Sequence, residues 1–315
     1  MENNKKRQNS RLARTLFDVR RNYQLLLFIL LPLIWLIIFR YVPMVGVQIA
    51  FRKYTPAGGI WGSEWVGLSN FVKFLTSYQF FRVLPNTIRI SVYYLLAEFP
   101  IPITLALLLN VMLHKRLRKT IQTVIYLPHF ISTVVIVGML FQLFNNRIGV
   151  YGVFMRALTG VAPGDPFATA STFPHMYVWS GIWQHMGWST IIYTAALSGV
   201  DMELHEAAQI DGASRFTRLR YIDFPCILPT AIILLILSSG DILSVGFEKA
   251  YLMQNNLNLA RSEVISTYVY KVGMTAGASD FSYASAIDLF NAVISLILLT
   301  IVNFAAKRIS SVSLW

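Results

Sequence analysis

The residues best suited to metal chemistry form the run His205-Glu206-Ala207-Ala208-Gln209. A metalloprotease helix needs a second histidine four residues after the first, and Gln209 stands there instead. The sequence also has no Gly-Lys dipeptide for a phosphate-binding P-loop and no Gly-x-Ser-x-Gly turn for a serine nucleophile. We therefore predict a non-catalytic protein that binds no metal or cofactor of its own.

A second set of polar and aromatic residues lies within or beside long apolar segments. Ionisable side chains deep in a bilayer are costly when they face lipid, so we expect them to face a protein interior or a watery cavity. Aromatic faces pack against sugar rings, and amides and carboxylates bind hydroxyl groups. We predict an outward-opening substrate path lined by Trp179, Trp183, Gln184, Trp188, Asp241, Glu248, Asp288 and Asn291.

The alternative for each of these residues is structural. Asp241 and Asp288 would then form hydrogen bonds between helices, and the tryptophans would anchor the chain at the membrane interface. Glu98 is interpreted as a helix-packing partner. Because the acidic side chains of the predicted path would repel a uronate, a strongly anionic substrate would need basic groups. These could come from Arg89, from extracellular residues or from a partner chain.

The elements that carry these residues are predicted to be membrane helices. The 315 residues are 55% hydrophobic and 13% charged, with a mean hydropathy of +0.55. A helix of about 20 apolar residues is long enough to cross about 30 Å of hydrocarbon. We predict an all-α integral membrane protein with six spans at about 23–44, 86–112, 120–144, 175–199, 225–247 and 282–306.

Lys and Arg are more abundant in the segments on the same side as the N-terminus, which predicts that both termini are cytoplasmic. The net charge of +12 gathers at this face, where it suits anionic lipid better than nucleic acid. The predicted organisation is a basic segment 1–22, a six-helix transmembrane domain 23–306 and a tail 307–315. The first span is interpreted as a retained anchor, and the single Cys226 excludes an intrachain disulfide.

The predicted cytoplasmic loop 200–224 reads as two short helices. Asp201 is expected to cap the first helix, Gly212 to end it in a left-handed conformation, and Ser214 to cap the second. Leu204, Ala207, Ala208 and Asp211 share one narrow face. Because most of that face is small, another protein could approach closely. The alternative is an amphipathic helix lying on the inner leaflet.

The loop resembles the EAA loop of permease subunits in binding-protein-dependent ABC importers. The resemblance lies in Glu206-Ala207-Ala208, Asp211-Gly212-Ala213, Ile222, Pro225 and Pro229. It implies a type I ABC importer permease fold in which the first short helix is the coupling helix of the chain. The implied ATPase-coupling residues are Leu204, Glu206, Ala207, Ala208, Asp211, Gly212 and Ala213.

Other segments resemble sugar-uptake permeases, and within those the LplB-like polysaccharide and oligosaccharide group. They are Trp65–Phe71, Tyr126–His129, Gly246–Gln254 and Thr267–Gly273. The resemblance implies an oligosaccharide substrate, a second and different permease chain, two ATPase subunits that hold ATP and Mg²⁺, and an extracellular sugar-binding protein.

A competing hypothesis is an ion- or proton-coupled secondary transporter in which Glu98, Asp241 and Asp288 relay protons. It would not need the cytoplasmic loop, and the chain lacks the duplicated halves common in such carriers. A membrane enzyme or assembly scaffold is a third alternative.

Overall fold

The computed structural model describes residues 21–275, 280–310 and 313–314. Most of the basic segment 1–22 and part of the tail 307–315 therefore lie outside the described residues. The chain divides into two compact units, Met1–Gly67 and Leu68–Trp315, which are described separately.

The first unit contains a long apolar helix followed by a small hairpin. Helix α1, Tyr23–Leu36, continues through a π-helical turn and a 3₁₀ segment, so that the helical stretch reaches Phe51. Its strongly apolar side chains are almost all exposed, as expected of a surface that faces lipid. Strands β1, Arg52–Thr55, and β2, Ser63–Trp65, pair antiparallel on either side of the short helix α2, Gly59–Gly62.

The second unit is helical throughout its described regular elements. Its first seven helices are α3 (Ser69–Leu75), α4 (Phe80–Glu98), α5 (Pro100–Val111), α6 (Lys115–Tyr126), α7 (Thr133–Leu143), α8 (Val150–Thr159) and α9 (Phe173–Ser198). The remaining seven are α10 (Met202–Ile210), α11 (Arg215–Arg218), α12 (Phe224–Gly240), α13 (Phe247–Met253), α14 (Leu259–Ser262), α15 (Ile265–Met274) and α16 (Phe281–Ser310).

Four predicted spans correspond to helices that are long and apolar enough to cross a membrane. In the described part of the chain these helices cover Tyr23–Phe51, Phe80–Val111, Arg215–Gly240 and Phe281–Arg308. The fourth predicted span, 175–199, coincides with α9, whose 26 residues are long enough to cross. Its histidines, glutamine and serines make it less apolar than the four helices named above.

The third predicted span, 120–144, is broken rather than continuous. Its two parts, Lys115–Phe130 and Thr133–Leu143, meet at 99°. Pro128 sits in a 3₁₀ turn, Ile131 is extended, and the Ser132 hydroxyl accepts a hydrogen bond from the backbone N–H of Val135. The break therefore arises because proline removes a backbone donor and serine begins a new helix.

The fifth span differs from the prediction 225–247 at both ends. The loop helix α11 runs without a break, through a π-helical turn at Leu219–Asp223, into α12. Helix α12 ends at Gly240, and Asp241 leaves the helical conformation. Glu248, predicted at the outer end of this span, instead lies on the separate helix α13.

Helix α9 is the centre of the second unit. It packs against α4, α5, α6, α12 and α13. One apolar cluster joins Tyr177, Val178 and Ile182 of α9 to Ile90, Val245 and Met253. A second cluster joins Tyr193 and Leu197 to α5 and α12. Helices α4, α12 and α13, which contribute to the polar cleft described below, are therefore all held against the same helix.

Candidate functional site

The first loop helix, α10, is closed at both ends by its own sequence. The Asp201 carboxylate accepts a hydrogen bond from the backbone N–H of Glu203 at 3.0 Å. Gly212 is left-handed, with φ +78°, and the Ala213 N–H reaches the Ala208 carbonyl at 2.8 Å. These are the bonds of an N-cap and a Schellman motif. The predicted caps are confirmed, including Ser214, which accepts from the Thr217 N–H at the start of α11.

The outer face of α10 is exposed and partly apolar. Met202, Leu204 and Ile210 are 66%, 51% and 87% exposed. Five of the predicted coupling residues are exposed and two, Ala208 and Ala213, are half-buried; the exposed five are Leu204, Glu206, Ala207, Asp211 and Gly212. A short helix with exposed large apolar residues and a small-residue face is suited to bind another protein.

The inner face of α10 is tied to two membrane helices. His205 Nε2 lies 3.2 Å from Asp223 Oδ1, and Asn110 Nδ2 donates to the same oxygen at 3.2 Å. Asp223 is 2% exposed and lies in the π-helical turn before α12, while Asn110 lies in the last turn of α5. We refer to His205, Asp223 and Asn110 as the loop anchor. It connects the loop helix directly to both spans.

A polar cavity of about 300 Å³ lies between α4, α9 and the end of α12. Asp241, one of the predicted path residues, lines it together with Glu98 and the side chains of Tyr94 and Tyr177. Glu98, interpreted from sequence as a packing residue, therefore faces this cavity. Carboxylates and phenols provide acceptors and donors for hydroxyl groups.

A second cavity of about 250 Å³ adjoins the first. The two share Tyr94, Tyr177 and Gly246, and together we call them the polar cleft. Gln184 and Glu248 line the second cavity, which confirms their proximity but not a role. Gln184 is 4% exposed and donates to the Ile131 carbonyl at 3.0 Å, so it also holds the break between α6 and α7.

Tyr177 holds the wall of the polar cleft together. Its hydroxyl accepts from the Gly246 N–H at 3.0 Å, and its carbonyl accepts from Lys249 Nζ at 2.9 Å. Lys249 lies on α13, beyond the end of the fifth span, and burial lowers its pKa to about 7. A buried amine, two phenols and several carboxylates thus surround one cleft.

The other predicted path residues lie outside this cleft. Trp179 and Trp183 line an apolar cavity of about 450 Å³ with Met139 and Leu143. Trp188 stacks on His129, with ring centroids 4.3 Å apart. Asp288 lines another cavity, of about 320 Å³, beside Tyr270 and Ser285. Asn291, on the same helix, has a buried side-chain oxygen that finds no hydrogen-bond partner among the described residues.

Sequence reasoning missed four members of the cleft. Tyr94 and Glu98 are four residues apart on α4, a spacing that places both on one helix face and was the one signal of the cavity in the sequence. Tyr177 and Lys249 gave no comparable signal, because their meeting depends on how α13 folds back against α9. In the described residues no three His, Cys, Asp or Glu side chains are grouped as a metal site would require.

Comparison with known proteins places this arrangement among transport proteins. The family described as the inner membrane component of binding-protein-dependent transport systems matches residues 99–311. Protein LplB of Bacillus subtilis (strain 168) is 42% identical over 290 residues, covering 92% of this chain and 90% of LplB. The polygalacturonan/rhamnogalacturonan transport system permease protein YteP of the same organism is 40% identical over 307 residues, covering 96% and 93%.

Two solved structures of ABC transporters also contain chains that are similar to this one. A crystal structure of a bacterial ABC transporter involved in the import of the acidic polysaccharide alginate contains a chain with a TM-score of 0.85 and 36% identity. The match covers 94% of this chain and 99% of that one. A second structure, of a bacterial alginate ABC transporter in complex with an alginate pentasaccharide-bound periplasmic protein, has the same TM-score at 35% identity and covers 94% and 98%.

Proposed function

Because this chain belongs to the family of inner membrane components of binding-protein-dependent transport systems, we propose that it forms one half of the membrane pathway of an ATP-driven importer for an acidic oligosaccharide. The chain is a multi-pass permease component of an ABC importer of sugar or polysaccharide. Its relatives are non-catalytic membrane subunits. They give no support to the secondary-transporter alternative.

The proposed substrate class rests on the relatives and on the cleft. Polygalacturonan and alginate, named for one relative and for the solved importer, are both polymers of uronic acids. The polar cleft offers phenol rings, carboxylates and an amine within two adjoining cavities. Phenol rings pack on sugar faces, and the polar groups match hydroxyls and carboxylates.

The proposed assembly contains this chain, a second and non-identical permease chain, two ATPase subunits that bind ATP and Mg²⁺, and an extracellular binding protein. The binding protein is supported by the solved alginate importer, which was crystallised with a loaded periplasmic protein. The proposed topology has six spans within 23–306, with segments 1–22 and 307–315 and the loop 200–224 in the cytoplasm. The distribution of Lys and Arg supports this orientation.

The observation that carries the proposal is the shape of helix α10. It is capped at both ends, exposes Met202, Leu204 and Ile210 on its outer face, and is tied to two membrane helices on its inner face. These properties suit a rigid element that binds an ATPase and transmits its movement to the spans.

The test compares two glycines with the same backbone conformation. Gly212 ends α10 with φ +78°, and Gly160 ends α8 with φ +73°; neither has an atom within 4 Å of an added Cβ. Valine at either position strains the backbone by about 1–3 kcal/mol. We expect Gly212→Val to reduce copurification of the ATPase and sugar uptake by roughly tenfold or more, and Gly160→Val to leave ATPase binding unchanged. Equal ATPase binding in both variants would contradict the proposal.

A further inference from the structure

Lys249 occupies an unusual position for a lysine. Its side chain is 8% exposed, and it lines the second cavity of the polar cleft with Thr133, Gln184 and His185. Its Nζ donates to the Tyr177 carbonyl at 2.9 Å and lies 5.0 Å from the centre of the Tyr177 ring. Lysines are almost never this buried unless they are paired.

Lys249 has no carboxylate partner within salt-bridge distance, 4.0 Å, among the residues that the structure describes. The other basic group that lines its cavity is His185, and the acidic one is Glu248, whose side chain is exposed. Glu98 and Asp241 line the adjoining cavity. The carbonyl of Tyr177 and the ring beneath it stabilise an ammonium only in part, and burial accordingly lowers the pKa of Lys249 to about 7.

We propose that Lys249 binds a carboxylate of the transported oligosaccharide and so makes this chain selective for acidic sugars. The inference rests on the proposed function and adds the residue and the chemical group that set its specificity. A carboxylate brought into the second cavity would supply the anionic partner that Lys249 lacks, in a site where water competes poorly.

In this proposal the first cavity binds hydroxyl groups of the sugar and the second binds its carboxylate. Tyr94 and Tyr177 border both cavities, so a sugar ring that lies across them has aromatic surface beside it. Asp241 and Glu98 on one side can accept hydrogen bonds from hydroxyl groups. The carboxylate on the other side meets Lys249, away from those two acids. The polarity of the cleft therefore orients an acidic saccharide rather than repelling it.

A purely structural role for Lys249 predicts a different result. In that case the amine serves only to tie α13 to the Tyr177 carbonyl, and its loss would affect neutral and acidic sugars equally. A role in recognition predicts an effect that depends on the charge of the substrate. The two roles are separated by the ratio of uptake rates for a sugar with and without its charge.

The experiment uses the assembled importer, with its own binding protein, in proteoliposomes. The probes are an oligogalacturonate and the same oligomer as its methyl ester, and uptake is measured at saturating loaded binding protein. The binding protein is identical in every sample, so its own preference cancels when the acid-to-ester ratio of a variant is divided by that of wild type.

We expect Lys249→Met to lower the acid-to-ester ratio by roughly tenfold to a hundredfold, the effect of losing one hydrogen bond to a charged group. Lys249→Arg should keep most of the ratio. Lys271→Met is the matched control, because Lys271 lies on the neighbouring helix α15 but is 61% exposed and lies 3.6 Å from Glu263. This control should leave the ratio unchanged.

The dependence on pH gives a second readout. An anion binds the protonated amine, so in wild type the uptake of the acidic probe, relative to that of the ester, should fall as the pH rises above about 7. Lys249→Arg stays charged and should lose that dependence. The ester should show no such dependence in either protein.

The outcomes separate the two proposals. If wild type takes up neither probe nor any other uronate oligomer, the acidic substrate fails and the role of Lys249 fails with it. If wild type takes up the acid and Lys249→Met leaves the ratio unchanged, or lowers both rates equally, the proposed function stands and the role of Lys249 is overturned.

Discussion

At the scale of single residues, Gly181 decides whether the polar cleft is open. A Cβ at this position of α9 would lie 2.7 Å from the Tyr94 ring and 3.1 Å from Lys249 Nζ. Both distances are shorter than ordinary van der Waals contact. The missing side chain therefore lets α4, α9 and α13 approach each other around Tyr177.

We predict that Gly181→Ala lowers sugar uptake several-fold while the ATPase still copurifies. The added methyl group must push Tyr94 or Lys249 into the cleft, and overpacking of this kind typically costs about 1–3 kcal/mol. Uptake in proteoliposomes and ATPase copurification are measured on the same samples. Gly138→Ala on α7 is the control, because Gly138 is exposed and has no atom within 4 Å of an added Cβ. Unchanged uptake in Gly181→Ala would refute the claim of crowding.

At the scale of elements, the loop anchor connects three helices through one buried carboxylate. The Asp223 carboxylate contacts His205 of α10 and accepts a hydrogen bond from Asn110 of α5. Asp223 itself lies in the π-helical turn that leads into α12. A movement of α10 would therefore be transmitted to both α5 and α12 through the Asp223 carboxylate. The outer face of α10 stays exposed, as the proposed contact with an ATPase requires.

We predict that Asp223→Ala reduces the sugar imported per ATP hydrolysed more than it reduces ATPase binding. The substitution leaves the half-buried His205 and Asn110 without their shared acceptor, which costs about 1–3 kcal/mol locally. The N-cap and the Schellman turn of α10 do not involve Asp223, so the binding face should persist.

His205→Ala should act in the same direction, and the double variant should be little worse than either single one, as expected of residues in one network. Gln209→Ala is the control, since Gln209 lines a cavity of about 310 Å³ together with His205, Asn110 and Asp223 but is itself exposed. Transport and hydrolysis are measured together in proteoliposomes. A proportional loss of both in Asp223→Ala would show that the anchor only stabilises the loop.

Which elements the sequence could predict depends on whether their causes are local. The ends of α10 were predictable because Asp201 and Gly212 act on backbone groups within a few residues. The break near Ile131 and the end of α12 at Gly240 were not, because the proline, serine and glycine residues found there do not by themselves interrupt a membrane helix. Proline and serine are common in membrane helices, and tertiary contacts such as Gln184 with Ile131 determine where they interrupt one.

At the scale of the whole molecule, the sequence gives the position of each residue along its helix but not the rotation of the helix. Counting residues from the helix ends places Trp179, Trp183 and Gln184 close together in depth. The structure turns the two tryptophans toward an apolar cavity and Gln184 toward the polar cleft. The even spread of apolar residues around α9 gave no preferred face. Packing partners distant in sequence, such as α13, determine which side of α9 meets the cleft.

The arrangement of one coupling loop per chain bears on the assembly of the importer. The described residues contain one loop helix of the α10 type, and the ATPase subunits proposed for this importer act as a pair. Two permease chains must then supply two loops. The acidic residues Glu98, Asp241 and Glu248 in this chain would repel the same residues of an identical copy facing them across a shared path. A different partner can offer basic groups at those positions.

We therefore predict that the working importer contains this chain and a related but non-identical permease. When the chain is expressed with its ATPase and no other permease, reconstituted vesicles should show no sugar-stimulated ATP hydrolysis above background. Coexpression of the second permease should restore both hydrolysis and uptake. Both samples receive the loaded binding protein, and the sample without the second permease is also checked for insertion and ATPase binding, so that its inactivity can be assigned to the missing permease. Sugar-stimulated turnover and uptake by the homomeric assembly, at rates close to those of the complete importer, would rule out the heterodimer.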